Sequence, residues 1–175
     1  MGRLSCTKSH RKSSFALAEM ILSVAVLVIL SGFSVHMFIA AKNANARSYD
    51  LYKGMSLAIS IIETVKGAPC PQVLTEKDFE PEAAVSNNGR EIVLDMFFDG
   101  DWSPVPSGHI DVKPFYSIKA EIVPSDDAVE HANSEYQVYE IKVQVVRLAP
   151  YVLEKDGNSE VFSIETTKCY TAFAR

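Results

Sequence analysis

The chain has 175 residues, of which 47% are hydrophobic, and a formal net charge of −5. This length is enough for one membrane helix and one modest domain. The acidic balance argues against the basic stripe that is typical of nucleic-acid-binding domains, so we expect no nucleic-acid partner.

A long apolar run near the N-terminus contains a single full charge. Phe15 to Ala41 are 27 positions in which only Glu19 is charged. Because about 20 apolar residues in a helix cross the hydrocarbon core of a bilayer, the run predicts a transmembrane helix over residues 15–42. A carboxylate in such a segment is costly, and its presence indicates a function.

The residues ahead of this run predict the orientation of the helix. Residues 1–14 contain no acid and four basic side chains, which are Arg3, Lys8, Arg11 and Lys12. The positive-inside bias therefore places residues 1–14 in the cytoplasm and the C-terminal bulk outside the cell membrane. Without residues 1–14 the chain has 13 basic and 22 acidic side chains, a net charge of −9.

The junction between the basic leader and the apolar run carries a resemblance to a known family. The string Lys12-Ser13-Ser14-Phe15-Ala16-Leu17-Ala18-Glu19 resembles the processing site of type IV prepilins and of the related pseudopilins of type II secretion. The family pattern is a basic leader, a small residue, a phenylalanine, a glutamate four positions further on and an apolar helix. Serine stands at position 14, where the family usually has glycine.

This resemblance implies a processing pathway and a structural role. A membrane aspartic peptidase, the prepilin peptidase, would recognise the leader at Arg11 and Lys12, cut between Ser14 and Phe15, and leave Phe15 to be N-methylated. The mature chain would then pack with other pilin or pseudopilin subunits in a type IV pilus or in a type II secretion or competence pseudopilus. The sizeable β-rich domain and the serine at position 14 favour a minor over a major subunit. No cofactor is implied.

The charge of Glu19 has a physical interpretation within the same pattern. Cleavage before Phe15 creates an α-amino group with a pKa of about 8, which is mostly protonated at neutral pH. Glu19 would neutralise this ammonium on a neighbouring subunit. In the alternative interpretation Glu19 reaches the membrane surface of an uncleaved, signal-anchored protein whose outer domain binds a ligand or partner.

The helical pattern continues beyond the apolar run. Over residues 43–70, apolar side chains recur at steps of three or four, at Tyr49, Tyr52, Met55, Ile59, Ile62 and Val65. This spacing predicts an amphipathic continuation of the helix whose apolar face packs on a sheet. Gly67 and Pro69 predict its end.

Residues 71–175 form a β-rich region in the predicted extracytoplasmic part. Residues 72–90 are expected to be a polar loop. Four segments then alternate apolar and polar residues with a period of two, which predicts half-buried antiparallel strands; they lie within residues 91–98, 115–123, 136–146 and 160–174. The predicted fold class is α+β, with a long N-terminal helix packed on a C-terminal antiparallel sheet, which is also the layout of pilins.

The three cysteines fall on both sides of the expected cleavage site. Cys6 lies in the leader, whereas Cys70 and Cys169 remain as a pair in the outer region. A disulfide between Cys70 and Cys169 would close a long loop in an oxidising compartment. Two free thiols are the other outcome, because the sequence does not show that the sulfurs meet.

The outer region shows no pattern that favours catalysis or metal binding. His109 and His131 stand alone in polar segments, and we expect no enzymatic role. Two acidic clusters, Asp95, Asp99 and Asp101, and Asp126, Asp127 and Glu130, lack the ligand spacing of a known calcium loop, so no metal site is predicted. Trp102, beside the first cluster, is expected to hold its loop against the core.

Overall fold

The computed structural model describes residues 9–79, 83–89, 91–106, 113–125, 136–155 and 157–171, with side chains from residue 15 onward. The chain divides into two units, Met1–Asn45 and Ala46–Arg175. Helix α1 (Ser9–Gly67) is followed by a five-stranded sheet. The predicted α+β class with an antiparallel sheet is confirmed.

Helix α1 begins earlier than the expected start at Phe15, because residues 9–14 of the basic leader are already helical. Its other end agrees with the prediction, since the last helical residue is Gly67. No proline interrupts the 59 residues of α1, so no residue within it lacks a backbone N–H for the helical ladder.

All strand pairs are antiparallel, and the order in the sheet follows the order in the chain, β1-β2-β3-β4-β5. The strands are β1 (Ala84–Asn87), β2 (Ile92–Phe98), β3 (Tyr116–Pro124), β4 (Tyr136–Arg147) and β5 (Ser159–Thr171). Four of them correspond to the four predicted strands. The fifth, β1, was not predicted.

The prediction of a loop over residues 72–90 is wrong in part. Two single-turn 3₁₀ helices, Pro71–Val73 and Glu76–Asp78, occupy its beginning, and β1 occupies its end. The turn from β1 to β2 depends on Gly89, which has a φ of +80° and donates its backbone N–H to the side chain of Asn87. This conformation favours glycine, so the turn can reverse the chain and bring β1 alongside β2.

The alternation in the central strands places the predicted side chains in the core. Every second residue is buried in β2 from Ile92, in β3 from Tyr116 and in β4 from Tyr139. In β5 the equivalent residues Phe162, Ile164 and Thr166 are only half-buried, since β5 lies at the edge of the sheet. The period-two pattern thus predicted the face of each central strand correctly.

The prediction for the sheet-facing side of α1 is largely wrong. Ile62 and Val65 are buried as expected, but four of the predicted residues are exposed, namely Tyr49, Tyr52, Met55 and Ile59. The stripe of α1 that is buried in the second unit consists of Asp50, Gly54, Ala58, Ile61, Ile62 and Val65.

Small side chains decide which face of α1 meets the sheet. A Cβ atom added at Gly54 would lie 3.1 Å from Cγ1 of Val145 on β4, so the glycine permits a close approach of helix and strand. Ala58 is completely buried. The larger side chains at Tyr49 and Tyr52 would hold the helix further from the sheet, and dense packing therefore leaves them outside.

Side chains of β5 hydrogen-bond to the C-terminal end of α1. The hydroxyl of Tyr170 donates to the carbonyl oxygen of Val65 at 2.6 Å, and Nζ of Lys168 donates to the carbonyl oxygens of Lys66 and Ala68. The last carbonyls of a helix have no partner within the helix and carry partial negative charge, so a phenol and an ammonium group stabilise this end.

Candidate functional site

The apolar half of α1 exposes its side chains on all sides within the first unit. The large apolar residues from Phe15 to Phe38 are between 48% and 81% exposed. By length and composition, α1 contains a stretch that could cross a membrane. Soluble proteins rarely expose so large a contiguous apolar surface, because leaving it in water is unfavourable.

The polar hydroxyls in this half form hydrogen bonds to their own helix. Oγ of Ser23, Ser31 and Ser34 donates to the carbonyl oxygen four residues earlier, at 2.8, 2.8 and 2.9 Å. A serine that is bonded in this way presents little unsatisfied polarity to lipid or to a neighbouring helix. These three serines therefore add little polarity to the surface of the segment.

Glu19 is the only residue of this segment that carries a full charge. Its side chain is exposed, and in the described part of the chain its carboxylate has no ion-pair partner. Phe15 lies one helical turn earlier and is 81% exposed. Positions four apart share a face of the helix, so Phe15 and Glu19 are presented together.

The structure describes the rest of the predicted processing site through its backbone. Arg11, Lys12 and Ser14 lie within α1, in the turns directly before Phe15. The predicted cleavage site thus lies in a helical stretch that continues into the apolar segment.

A cluster of hydrogen-bonded polar and aromatic side chains surrounds Asp50 in the second unit. The sequence did not predict this cluster. Asp50 is 2% exposed and lies on the sheet-facing side of α1. Its carboxylate accepts hydrogen bonds from Tyr116 at 2.7 Å, Tyr151 at 2.8 Å, Nη1 of Arg147 at 2.6 Å and, at 3.5 Å, Nε1 of Trp102. We call these five residues the Asp50 cluster.

Arg147 is held in the Asp50 cluster by more than its ion pair. Its Nε donates to the carbonyl oxygen of Ala149, its Nη1 also donates to the hydroxyl of Tyr116, and its guanidinium lies 4.0 Å from the ring centre of Tyr151. The cation is therefore hydrogen-bonded as well as paired, as a buried charge requires.

The aromatic members of the Asp50 cluster come from separate segments of the chain. Trp102, in the loop after β2, stacks on Tyr116 with ring centres 3.9 Å apart. Trp102 lies in a turn and has a φ of +61°. The side chain of Asp99 stabilises this turn by accepting hydrogen bonds from the backbone N–H groups of Asp101 and Ser103. The expectation that Trp102 holds its loop against the core is confirmed.

Burial and hydrogen bonding raise the pKa values of the two tyrosines in the cluster. Removal from water raises the pKa of Tyr151 to about 12, with a further contribution from its hydrogen bond to Asp50. The same causes, in the same order, raise the pKa of Tyr116 well above its usual range. Both phenols are protonated at neutral pH, so they donate hydrogen bonds to Asp50 and help to hold α1 against the sheet.

The sequence does contain one signal for this cluster. Asp50 is the only acidic residue between Glu19 and Glu63, and it lies within the periodic apolar pattern of the helix. A lone acid in such a pattern indicates a buried and paired carboxylate. Its partners Tyr116, Arg147 and Tyr151 are 66 to 101 positions away, and no local pattern identifies them.

Cys70 and Cys169 are both free thiols in the structure, so the disulfide that the sequence left open is not formed. The strand geometry gives the reason. Lys168 and Tyr170 of β5 reach the end of α1 through their side chains, and Cys169 between them points to the opposite face of the sheet. Cys70 lies three residues after the end of α1.

The histidines and acidic clusters for which no site was predicted lie partly within and partly outside the described residues. In the described part of the chain no group of three or more histidine, cysteine, aspartate or glutamate side chains is placed to hold a metal ion. Within the first acidic cluster, Asp99 is engaged in its own loop. His109, His131 and the second acidic cluster lie outside the described residues.

Comparison with protein-family models, with curated proteins and with solved structures finds no match to this chain. The function of the chain must therefore be inferred from its own residues. Two of its features require an explanation beyond the stability of the fold, namely the exposed apolar half of α1 and the exposed carboxylate of Glu19.

Proposed function

We propose that this chain is a prepilin-like structural subunit, most simply a minor one, of a type IV pilus or a type II secretion pseudopilus. It is inserted through the apolar half of α1, cleaved by a prepilin peptidase between Ser14 and Phe15, N-methylated at Phe15, and assembled with other pilin or pseudopilin subunits. Its role is mechanical rather than catalytic.

The observation that carries this proposal is the exposed carboxylate of Glu19, the only full charge in the apolar half of α1, one turn after Phe15. Cleavage before Phe15 would create an ammonium group on the same face. At about 4 Å and an effective dielectric constant of about 20, a carboxylate and an ammonium group attract each other by roughly 4 kcal/mol before desolvation. In an apolar assembly this attraction selects one register between neighbouring helices.

The fold is consistent with such a subunit. The second half of α1 is fastened to an antiparallel sheet by the Asp50 cluster and by the bonds from β5. The hydroxyls of the apolar half are satisfied within the helix, which leaves its surface free for lipid or for other helices.

A substitution that removes the negative charge of Glu19 but keeps the size of its side chain tests the role of the carboxylate. We expect Glu19→Gln to insert into native host membranes at the wild-type level and to lose incorporation into sheared or purified filaments. Glu63→Gln is the matched control, because it removes an exposed carboxylate from the same helix outside the apolar half. Incorporation of Glu19→Gln at the level of Glu63→Gln would contradict the proposal.

The alternative, an uncleaved signal-anchored protein with an extracytoplasmic binding domain, makes different predictions for the same samples. The anchored chain would retain residues 1–14 and would not depend on Glu19 for any assembly. The state of the N-terminus in membranes therefore separates the two proposals.

A further inference from the structure

The loop between β4 and β5 carries an exposed apolar turn. The backbone N–H of Glu154 donates to the carbonyl oxygen of Tyr151 at 3.0 Å, which closes a turn with Val152 and Leu153 at its centre. The side chain of Leu153 is 74% exposed and that of Val152 is 45% exposed. We call Val152 and Leu153 the loop tip.

Leu153 holds a backbone conformation that favours glycine. Its φ is +66°, and a bulky residue rarely adopts a positive φ because its Cβ crowds the backbone. Turns with a positive φ at their third residue usually have glycine or asparagine there. Burial in the core does not offset this strain, since the leucine side chain is mostly in solvent. Strain of this kind is concentrated at functional sites.

The loop is fastened to α1 on both sides of its tip. Before the tip, the buried Tyr151 donates its hydroxyl to Asp50 at 2.8 Å, and its ring centre lies 4.9 Å from the guanidinium of Arg47. After the tip, Glu154 forms an ion pair with Arg47. The loop tip is therefore presented from a defined place on the second unit.

The contacts with α1 show at which end of the second unit the loop lies. Three residues in chain order meet progressively earlier residues of the helix: Val145 lies against Gly54, Arg147 pairs with Asp50, and Glu154 pairs with Arg47. Each step towards the loop is thus a step towards the N-terminal end of α1. The loop lies at the end of the second unit where the chain enters it from the apolar run.

The length of the chain limits how far this end lies from a membrane that the apolar run crosses. Arg47 follows Ala41, the last residue of the run, by six positions within α1. Six helical residues rise by about 9 Å. The headgroup layer extends about 5–7 Å beyond the hydrocarbon on each side of a bilayer. The part of α1 that holds the loop therefore lies just outside the headgroups.

The charge around the loop is compatible with anionic lipid headgroups. Residues 46–175 have 12 basic and 21 acidic side chains, a net charge of −9. Within them, residues 46–53 and 147–158 together have four basic and three acidic side chains, a net charge of +1. The rest of residues 46–175 thus carries −10. The loop end lacks the excess of negative charge that would repel it from a membrane surface.

The small size of the loop tip makes the anchor in α1 necessary. Even a single acyl chain gives only marginal and reversible membrane binding, and two apolar side chains give less. Anchoring through α1 makes the encounter of the tip with the same membrane effectively intramolecular, so a weak contact becomes populated. No freely diffusing partner has this advantage.

We propose that Val152 and Leu153 insert into the headgroup region of the membrane that α1 crosses. The contact is a second, reversible attachment of the outer domain to lipid. This inference rests on only one part of the proposed function, the insertion of the apolar half of α1 in a membrane. It does not depend on cleavage before Phe15 or on the charge of Glu19.

Quenching of a fluorophore by nitroxide lipids tests the contact on the full-length chain. In a background with Cys6, Cys70 and Cys169 replaced by serine, Lys155→Cys carries an uncharged fluorophore two residues after the intact tip. The protein is reconstituted in vesicles of phosphatidylcholine and phosphatidylglycerol with a nitroxide near the headgroups. Glu140→Cys carries the same fluorophore as a control, because Glu140 is exposed on β4 well before the loop.

A polar tip provides the matched comparison. Val152→Ser with Leu153→Asn removes the apolar side chains, and asparagine tolerates a positive φ, so the turn is retained. We expect lipid quenching at position 155 to be several-fold stronger than at position 140, and to fall to the level of position 140 with the polar tip. Unchanged Trp102 fluorescence and an undiminished urea midpoint show that the polar-tip variant remains folded.

Two results would overturn the contact. The first is quenching at position 155 no stronger than at position 140. The second is strong quenching at position 155 that the polar tip does not reduce, because the fluorophore would then report only its distance from the membrane.

The same preparation, taken from a host with an active prepilin peptidase, separates this inference from the proposed function. An N-terminus at Phe15 without tip-dependent quenching leaves the prepilin proposal standing and removes the lipid contact. Tip-dependent quenching in chains that begin at Met1 removes the prepilin proposal and leaves the lipid contact standing.

Discussion

Asp50 of helix α1 and Arg147 at the end of strand β4 form a buried ion pair, with Oδ2 and Nη1 2.6 Å apart. The side chain of Asp50 is 3% exposed and that of Arg147 is 13% exposed. Three further donors, from Tyr116, Tyr151 and Trp102, complete the coordination of the carboxylate. A single acid thus joins α1 to strand β3, to the end of β4 and to the loops that follow β2 and β4.

Removing one partner of this pair is expected to destabilise the second unit strongly. Asp50→Asn leaves the guanidinium of Arg147 buried without a counter-charge, which typically costs about 3–5 kcal/mol. The measurement is urea unfolding of the full chain in mild detergent, followed by the fluorescence of Trp102. Because hydrophobic replacements remove both charges, Asp50→Leu with Arg147→Met should recover part of the loss.

The exposed pair between Lys142 and Glu165 is the matched control for the buried one. Its atoms lie 2.7 Å apart, but both side chains are largely in water. Lys142→Ala should therefore change the free energy of unfolding by less than about 1 kcal/mol. A loss from Asp50→Asn no larger than this value would show that the buried pair does not hold α1 to the sheet.

Gly54 is expected to tolerate no large side chain, because of its distance to Val145. Gly54→Leu must displace α1 from β4 and should cost about 1–3 kcal/mol of unfolding free energy, as overpacking usually does. Gly67→Leu serves as the control, since a Cβ at Gly67 meets no atom within 4 Å. Equal urea midpoints for the two variants would contradict the close approach of α1 to β4.

Alkaline pH should weaken the second unit through its buried tyrosines. Burial raises the pKa of Tyr151 to about 12, and burial, with a contribution from Cys70, does the same for Tyr170. Since these values exceed the ordinary tyrosine pKa of about 10, the folded state retains protons that the unfolded chain loses. The stabilisation is complete below about pH 10 and decreases as the pH rises to about 12.

The slope of stability against pH provides the measurement for this effect. Each such tyrosine should lower the free energy of unfolding by up to about 1.4 kcal/mol per pH unit within that window. Tyr151→Phe should make the slope shallower, whereas Tyr52→Phe, at an exposed position, should leave it unchanged. Identical slopes in the wild type and in Tyr151→Phe would refute this assignment.

The two outer cysteines should be reduced and unequal in accessibility. Cys169 is exposed on β5 and Cys70 is half-buried, and neither is bonded. In protein prepared without reductant, we expect iodoacetamide to modify Cys169 quickly and Cys70 slowly, as read from peptide masses. Absence of modification at both, together with a mass lower by two hydrogens, would indicate the disulfide that the structure lacks.

The sequence predicted the sheet more reliably than the face of the helix. Alternation identified the inward residues of β2, β3 and β4 because period two has only two faces. In the outer half of α1, apolar residues occur on both sides of the helix, and periodicity alone favoured Tyr49 and Tyr52. The face of α1 that packs on the sheet is determined by the close approach that Gly54 permits. This approach is to Val145, which lies 91 positions away in the sequence.

Strand β1 and the Asp50 cluster are two further features that the sequence did not predict, the first for a local reason and the second for a non-local one. Strand β1 could have been found, because Asn87-Asn88-Gly89 is a turn signal between two short apolar segments. The Asp50 cluster could be suspected from its lone acid but not assembled, since its partners come from distant segments. Of the proposed processing site, the sequence supplied every residue, and the structure adds the helical backbone around it and the exposure of Phe15 and Glu19.

The N-terminus of the chain in its native membrane tests the central claim most directly. Intact mass and N-terminal sequencing of the membrane-extracted protein should show a start at N-methylated Phe15, with residues 1–14 removed. A chain that begins at Met1, in a host with an active prepilin peptidase, would contradict the account.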